Sequence, residues 1–261
     1  MHKSLLALAA AVALPATATA APLELRVTIE NLVAPDGIAF APLNVAFHDG
    51  GFDAFDIGQV ATPGIRTVAE MGSGVNWFAA LHAADAGAVS GTILPLPLLS
   101  GASSSQTFTI DPGANAYFSF AAMALPSNDF FIANDAPTAY RLFGAGGSLQ
   151  TTEIVQRARD LWDAGSEVFD PASAAFLAVG NAALHGDQNS VVAHNFAELA
   201  AFNGLTTGAG YALDSRLAAD TPIYRIAFEV VNPTPVPLPG ALPLMLGALG
   251  AAWTRRVRPA V

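Results

Sequence analysis

The chain has 261 residues, 52% hydrophobic and only 12% charged, with no cysteine and a net charge of −10. The missing thiols exclude disulfides, thiolate zinc sites and cysteine nucleophiles. The acid excess leaves nothing to neutralise phosphates, so no nucleic-acid partner is expected, whereas cations are favoured.

The chain opens on MHKSLLALAAAVALPATATA. His2 and Lys3 precede an apolar run from Leu5 to Leu14, and Ala18-Thr19-Ala20 supplies a small-x-small cleavage pattern. Residues 1–20 are therefore expected to be a secretory signal peptide.

Residues 21–232 follow as one globular domain, long enough to bury a substantial core. LELRVTIENL alternates Leu23, Leu25, Val27 and Ile29 with Glu24, Arg26, Thr28 and Glu30, the period of a half-buried strand. IAFAPLNVAFHD, QTFTIDP and AYFSFAAMALP are further strand-like runs, separated by Gly, Pro, Asn and Asp. TPIYRIAFEVV closes the domain with another alternating run. Short strands at this frequency predict an all-β fold, an antiparallel β-sandwich with one or two short helices.

Two stretches have helical character. From Thr67 to Ala84 helix formers dominate, but Gly72 and Gly74 split the run. TTEIVQRARDLWDAG places Ile154, Val155, Ala158, Leu161 and Trp162 at helical spacing, yet its β-branched start suits a strand equally. Trp77 and Trp162 are expected in the core. His48, His82, His185 and His194 are scattered and are expected to pack or to face solvent. The sequence has no Gly-x-Ser-x-Gly, phosphate loop or dinucleotide fingerprint.

Residues 161–171, LWDAGSEVFDP, gather Asp163, Glu167 and Asp170 around a glycine. By spacing alone a solvated acidic turn, a catalytic carboxylate pair and a metal site all fit. Asp170, before a proline, and Asp135 read as turn residues.

Residues 233–261 form a tail of three parts. Pro233, Pro235, Pro237 and Pro239 lead into an apolar run from Gly240 to Trp253, and Arg255, Arg256 and Arg258 follow. The basic cluster is expected to stay cytoplasmic. This tail resembles the PEP-CTERM sorting signal of Gram-negative bacteria, with Val236-Pro237-Leu238-Pro239 in place of Val-Pro-Glu-Pro. The resemblance implies transient inner-membrane anchoring, processing by an exosortase-type enzyme and delivery to the cell surface or extracellular matrix. A plain membrane anchor is the alternative.

The domain itself resembles the spondin family. The resemblance is carried by Pro42, His48, Phe52, Phe55, Gly58, Ala61, Gly64 and the run Ala69-Glu70-x-Gly72. Pro126-Ser127-x-Asp129 is similar to the family's Pro-Ser-x-Asp, and Asp163-Ala-Gly-Ser-Glu167 to its Asp-Ala-Gly-Thr-Asp. The resemblance implies a sandwich related to calcium-dependent lipid-binding domains. It also implies one Ca2+ among loops at one end, held by Asp129, Asp163 and Glu167.

The expected function is that of a non-enzymatic, exported adhesion or matrix protein. Its partner would be an extracellular polysaccharide or a surface matrix component. The rivals are an extracellular glycosidase-type hydrolase using the same carboxylates, and a polysaccharide-binding module.

Overall fold

The computed structural model describes residues 21–93 and 97–232. The expected signal peptide and sorting tail lie outside the described residues.

The domain is the expected antiparallel β-sandwich, with a helical layer added. One sheet has the order β5 (Ser103–Ile110), β1 (Leu23–Asn31), β11 (Pro222–Asn232), β8 (Glu153–Arg157). The other runs β10 (Ala193–His194), β9 (Trp162–Asp163), β7 (Phe130–Ala133), β6 (Tyr117–Leu125), β3 (Leu43–His48), β4 (Val89–Ile93), with β2 (Ala39–Phe40) also on β6. All pairs are antiparallel.

The alternation of β1 follows from its place. Leu25, Val27 and Ile29 face the main core between the sheets, where they join Phe47, Phe118 and Phe228. Their polar neighbours lie on the outer face, where Arg26 pairs with Glu229 and Arg225 with Glu30. Strands β3, β6 and β7 read instead as near-continuous apolar runs because they are buried on both faces. Their second face, with Ala46, Ala121, Phe131 and Ala133, packs on Phe52, Phe55, Ile65, Val68, Trp77 and Leu81.

Ile65 and Val68 come from α1 (Pro63–Met71), Trp77 and Leu81 from α2 (Val75–Ala84). The first helix starts earlier than Thr67 because Thr62 caps it, accepting from the Ile65 amide, with Pro63 in the first turn. It ends where Gly72 turns left-handed at φ 65° and its amide returns to the Val68 carbonyl at 2.8 Å. Residues 153–157 resolve as strand. Ile154 and Val155 pair with Ile226 and Arg225, and β-branched side chains suit that pleated surface. The expected short helices are thus α1 and α2. Among the described residues three short 3-10 segments also occur: Ala158–Asp160, inside the second stretch of helical character, and Ala182–Leu184 and Phe196–Phe202, which were not expected. Among the described residues no helix is long and apolar enough to cross a membrane.

Candidate cation site at the sheet end

At one end of the second sheet, β9 lies between β7 and β10, so Asp163 is paired with both Phe130 and Ala193. Side chains alternate along β9. Trp162 and Ala164 enter the helix-side core, and Asp163 between them lines a cleft with Asp129 and Glu167. The cleft measures about 320 Å³, and Gln188, Ser190, His194, Asn195 and Glu198 also line it. All three expected residues therefore share one cavity.

Three consecutive residues before β7 tie this end together. Ser127 accepts from the Phe130 amide and donates to the Ala124 carbonyl. Asn128 accepts from the Asp170 amide and donates to the Ser173 hydroxyl. Asp129 is buried, and its Oδ2 accepts from the amides of Ser166 and Glu167 at 2.7 and 2.9 Å and from the Ser166 hydroxyl at 3.2 Å. Asp163 Oδ1 accepts from the Gly165 amide at 2.7 Å, and its Oδ2 from Asn195 Nδ2 at 3.2 Å. Asp170 is the expected turn residue, accepting from the Ala172 amide, while Asp135 accepts from the Ile57 amide.

Glu167 differs from the other two. Its side chain is only 7% exposed. The facing ring is His185, with Nδ1 at 3.9 Å from Oε1. Burial, then the charge of Glu70, pushes this carboxyl up to about 7. Burial and the charge of Asp163 push Asp129 up to about 6, against the pull of its three donors. Glu198 is raised by burial and by Asp163. Glu70 is paired with Arg66 at 2.7 Å, and Arg66 also reaches Asp187, tying α1 to the chain beside Glu167.

Gly165 makes the turn possible. It sits at φ 63°, and an added Cβ would lie 2.9 Å from Ser190 and from the Val191 carbonyl oxygen. Gly165→Ala is expected to lower stability by at least about 2 kcal/mol, read by chemical denaturation. A cost below about 0.5 kcal/mol would show that the turn relaxes freely.

The donors are all oxygen, which suits calcium. Among the described residues no group of three His, Asp or Glu side chains is gathered as a metal ion requires. The reason is local: Asp129 Oδ2 and both Asp163 oxygens are turned onto amide donors. The buried Glu167 carboxyl, raised to about 7 in this cleft, is the feature that favours a cation.

Sequence reasoning missed the opposite wall, His194, Asn195 and Glu198. Of the two roles expected for His48, packing or facing solvent, it has the first. Fully buried, His48 accepts from the Gly50 amide at Nδ1, so its proton sits on Nε2 and points to Ser119 Oγ. Asn134 donates to the same oxygen. Ser119 is thus an acceptor twice over, the reverse of what a nucleophilic dyad needs. No family model and no curated protein matches the chain.

Proposed function

We propose that the chain is a non-enzymatic, exported surface or matrix protein of spondin type that binds one divalent cation, of the calcium class, through Asp129, Asp163 and Glu167. The observation that carries this reading is the one cleft that gathers Asp129, Asp163 and Glu167, with the buried Glu167 carboxyl pushed up to about 7. Burial and neighbouring acids disfavour the ionised carboxylates here, and a cation would offset that cost. The secretory start and the PEP-CTERM-like tail support export, an exosortase-type partner and transient anchoring in the inner membrane. Cation-dependent contact with an extracellular matrix component is the corresponding role.

Calorimetric titration of the intact chain with calcium tests the site. Wild type is expected to bind one ion, and Glu167→Gln and Asp163→Asn are each expected to weaken binding by at least about tenfold, or 1.4 kcal/mol. No heat from wild type, or unchanged affinity in both variants, would sink the reading.

One observation favours a rival. A carboxyl held near 7 in a cleft is what a general acid requires. The glycosidase-type reading therefore predicts turnover of aryl glycosides that Glu167→Gln abolishes. Against it, Asp129, the second acid, is committed through one oxygen to three donors.

A further inference from the structure

Among the described residues the two sheets end on β5 and β8 in one and on β4 and β10 in the other. β4 and β5 lie against each other: a Cβ added to Gly91 would reach the Phe108 ring at 2.7 Å. Beside β10, Val192 exchanges backbone hydrogen bonds with Gly58 and Gln59. The remaining edge is β8, and among the described residues no strand or bridge pairs with its far side.

Register fixes which backbone groups of β8 point outward. The Phe228 amide donates to the Thr152 carbonyl at 2.9 Å, and Ile154 and Gln156 stand opposite Ile226 and Tyr224. Successive residues turn their backbone groups to opposite sides of a strand. Thr152, Ile154 and Gln156 therefore bond towards β11, while Glu153, Val155 and Arg157 point away from it. The Arg157 amide is taken by Asp160 Oδ2 at 2.8 Å. Among the described residues, Glu153 and Val155 have no backbone partner on the outer side. Such a row of groups is a template for another strand.

The side chains of EIVQR say which strand fits. Glu153 is exposed and lies 3.7 Å from Arg225, a guanidinium already engaged by Glu30. The Arg157 guanidinium donates to the Asp220 carbonyl and, among the described residues, forms no ion pair. Neither charge is fully paired within the fold. The stretch is complementary to itself when run antiparallel. A two-fold axis at Glu153 would set glutamate against glutamate, and one at Arg157 would fall on an amide already capped. An axis at Val155 sets each Glu153 opposite an Arg157, and opposite charges directly across a strand pair are stabilising.

We propose that β8 is a self-pairing edge, through which two copies of this chain join antiparallel with Val155 on the two-fold axis and Glu153 of each copy facing Arg157 of the other. The two four-stranded sheets then continue into one another, β5-β1-β11-β8 from each side. This pairing needs no cation and is independent of the site described above.

Cysteine cross-linking tests it in the intact chain, which has no cysteine of its own. At the axis the two Val155 residues form a hydrogen-bonded pair with Cα atoms about 5.5 Å apart, inside the span of about 4.4–6.8 Å that a disulfide bridges. The two Glu153 residues stand about 13 Å apart, beyond that span. Val155→Cys is expected to form a disulfide-linked dimer under mild oxidation at least about tenfold faster than Glu153→Cys. Sedimentation equilibrium reads the association itself, at about 0.15 M salt, where the Debye length of about 8 Å damps repulsion between chains of net charge −10. Wild type is expected to dimerise with a Kd below about 1 mM, weakly because so short an edge buries little surface. Glu153→Arg and Arg157→Glu are each expected to weaken self-association about tenfold, and an equal mixture of the two to restore it, since every arginine then meets a glutamate. Should Arg157→Glu fold poorly, the two cysteine variants still decide. The apolar tail is the same in every variant, so a dimer held by the tail would respond to none of them. Cross-linking of Val155→Cys no faster than of Glu153→Cys, self-association unmoved by both charge variants, or a mixture as weak as its components overturns the proposal.

Discussion

Asp129→Ala is expected to destabilise the cation-free domain by about 3 kcal/mol, because it strands the buried amides of Ser166 and Glu167 and the Ser166 hydroxyl. The loss should be local before it is global. Amide hydrogen exchange at Ser166 and Glu167 is expected to rise far more than in β1 or β11. Asp129→Asn separates structure from ligation. An asparagine keeps an acceptor oxygen and removes a buried charge that burial and Asp163 already disfavour. It should cost less than about 1 kcal/mol at neutral pH without calcium, and still weaken calcium binding by at least about tenfold. If the asparagine variant binds calcium like wild type, Asp129 is a loop staple and no ligand. If the alanine variant loses less than about 0.5 kcal/mol, the three-donor anchorage does not hold the loop.

That double role explains what the sequence could and could not show. Strand β1 is legible because one face is wet, and Glu24, Arg26 and Thr28 mark it at every second position. Strands β3 and β7 hide their place in the sheet, since both faces are dry and LNVAFH and FFIA carry no alternation. Asp163 and Glu167 stand out as acids in an apolar chain. Asp129 was reached only through the spondin resemblance, because its partners are mostly backbone amides, which leave no trace in residue identity. The His194–Asn195 wall is delivered by a two-residue strand, too short for any period, opposite residues about thirty positions earlier. Polar side chains brought together by so brief a pairing give sequence reasoning nothing to count.

The stability of the cation-free domain is expected to fall as pH rises from about 4 to about 7, and calcium is expected to reverse that fall. The sign follows from the two raised carboxyls. Asp129 moves from 3.8 to about 6 and Glu167 from 4.5 to about 7, so the folded state holds protons that the unfolded chain has released. Their contribution is fully present below the unfolded values and is lost as pH climbs through the folded ones. For Asp129 alone the loss is about 3 kcal/mol. His48 works in the opposite direction. Burial lowers its pKa from 6.5, so it costs stability as pH drops below that value. Differences between wild type and Glu167→Gln or Asp129→Asn cancel the histidine, and each variant should flatten the slope. Calcium favours the ionised carboxylates, so a concentration one hundred times Kd should stabilise wild type by about 2.7 kcal/mol above pH 7. Near pH 4.5, where protons occupy the same oxygens, the gain should largely vanish. Denaturant midpoints across this range, with calcium and with EDTA, measure both effects. A wild-type slope in EDTA no steeper than that of the two variants would show that these carboxyls are already solvated and have no need of an ion.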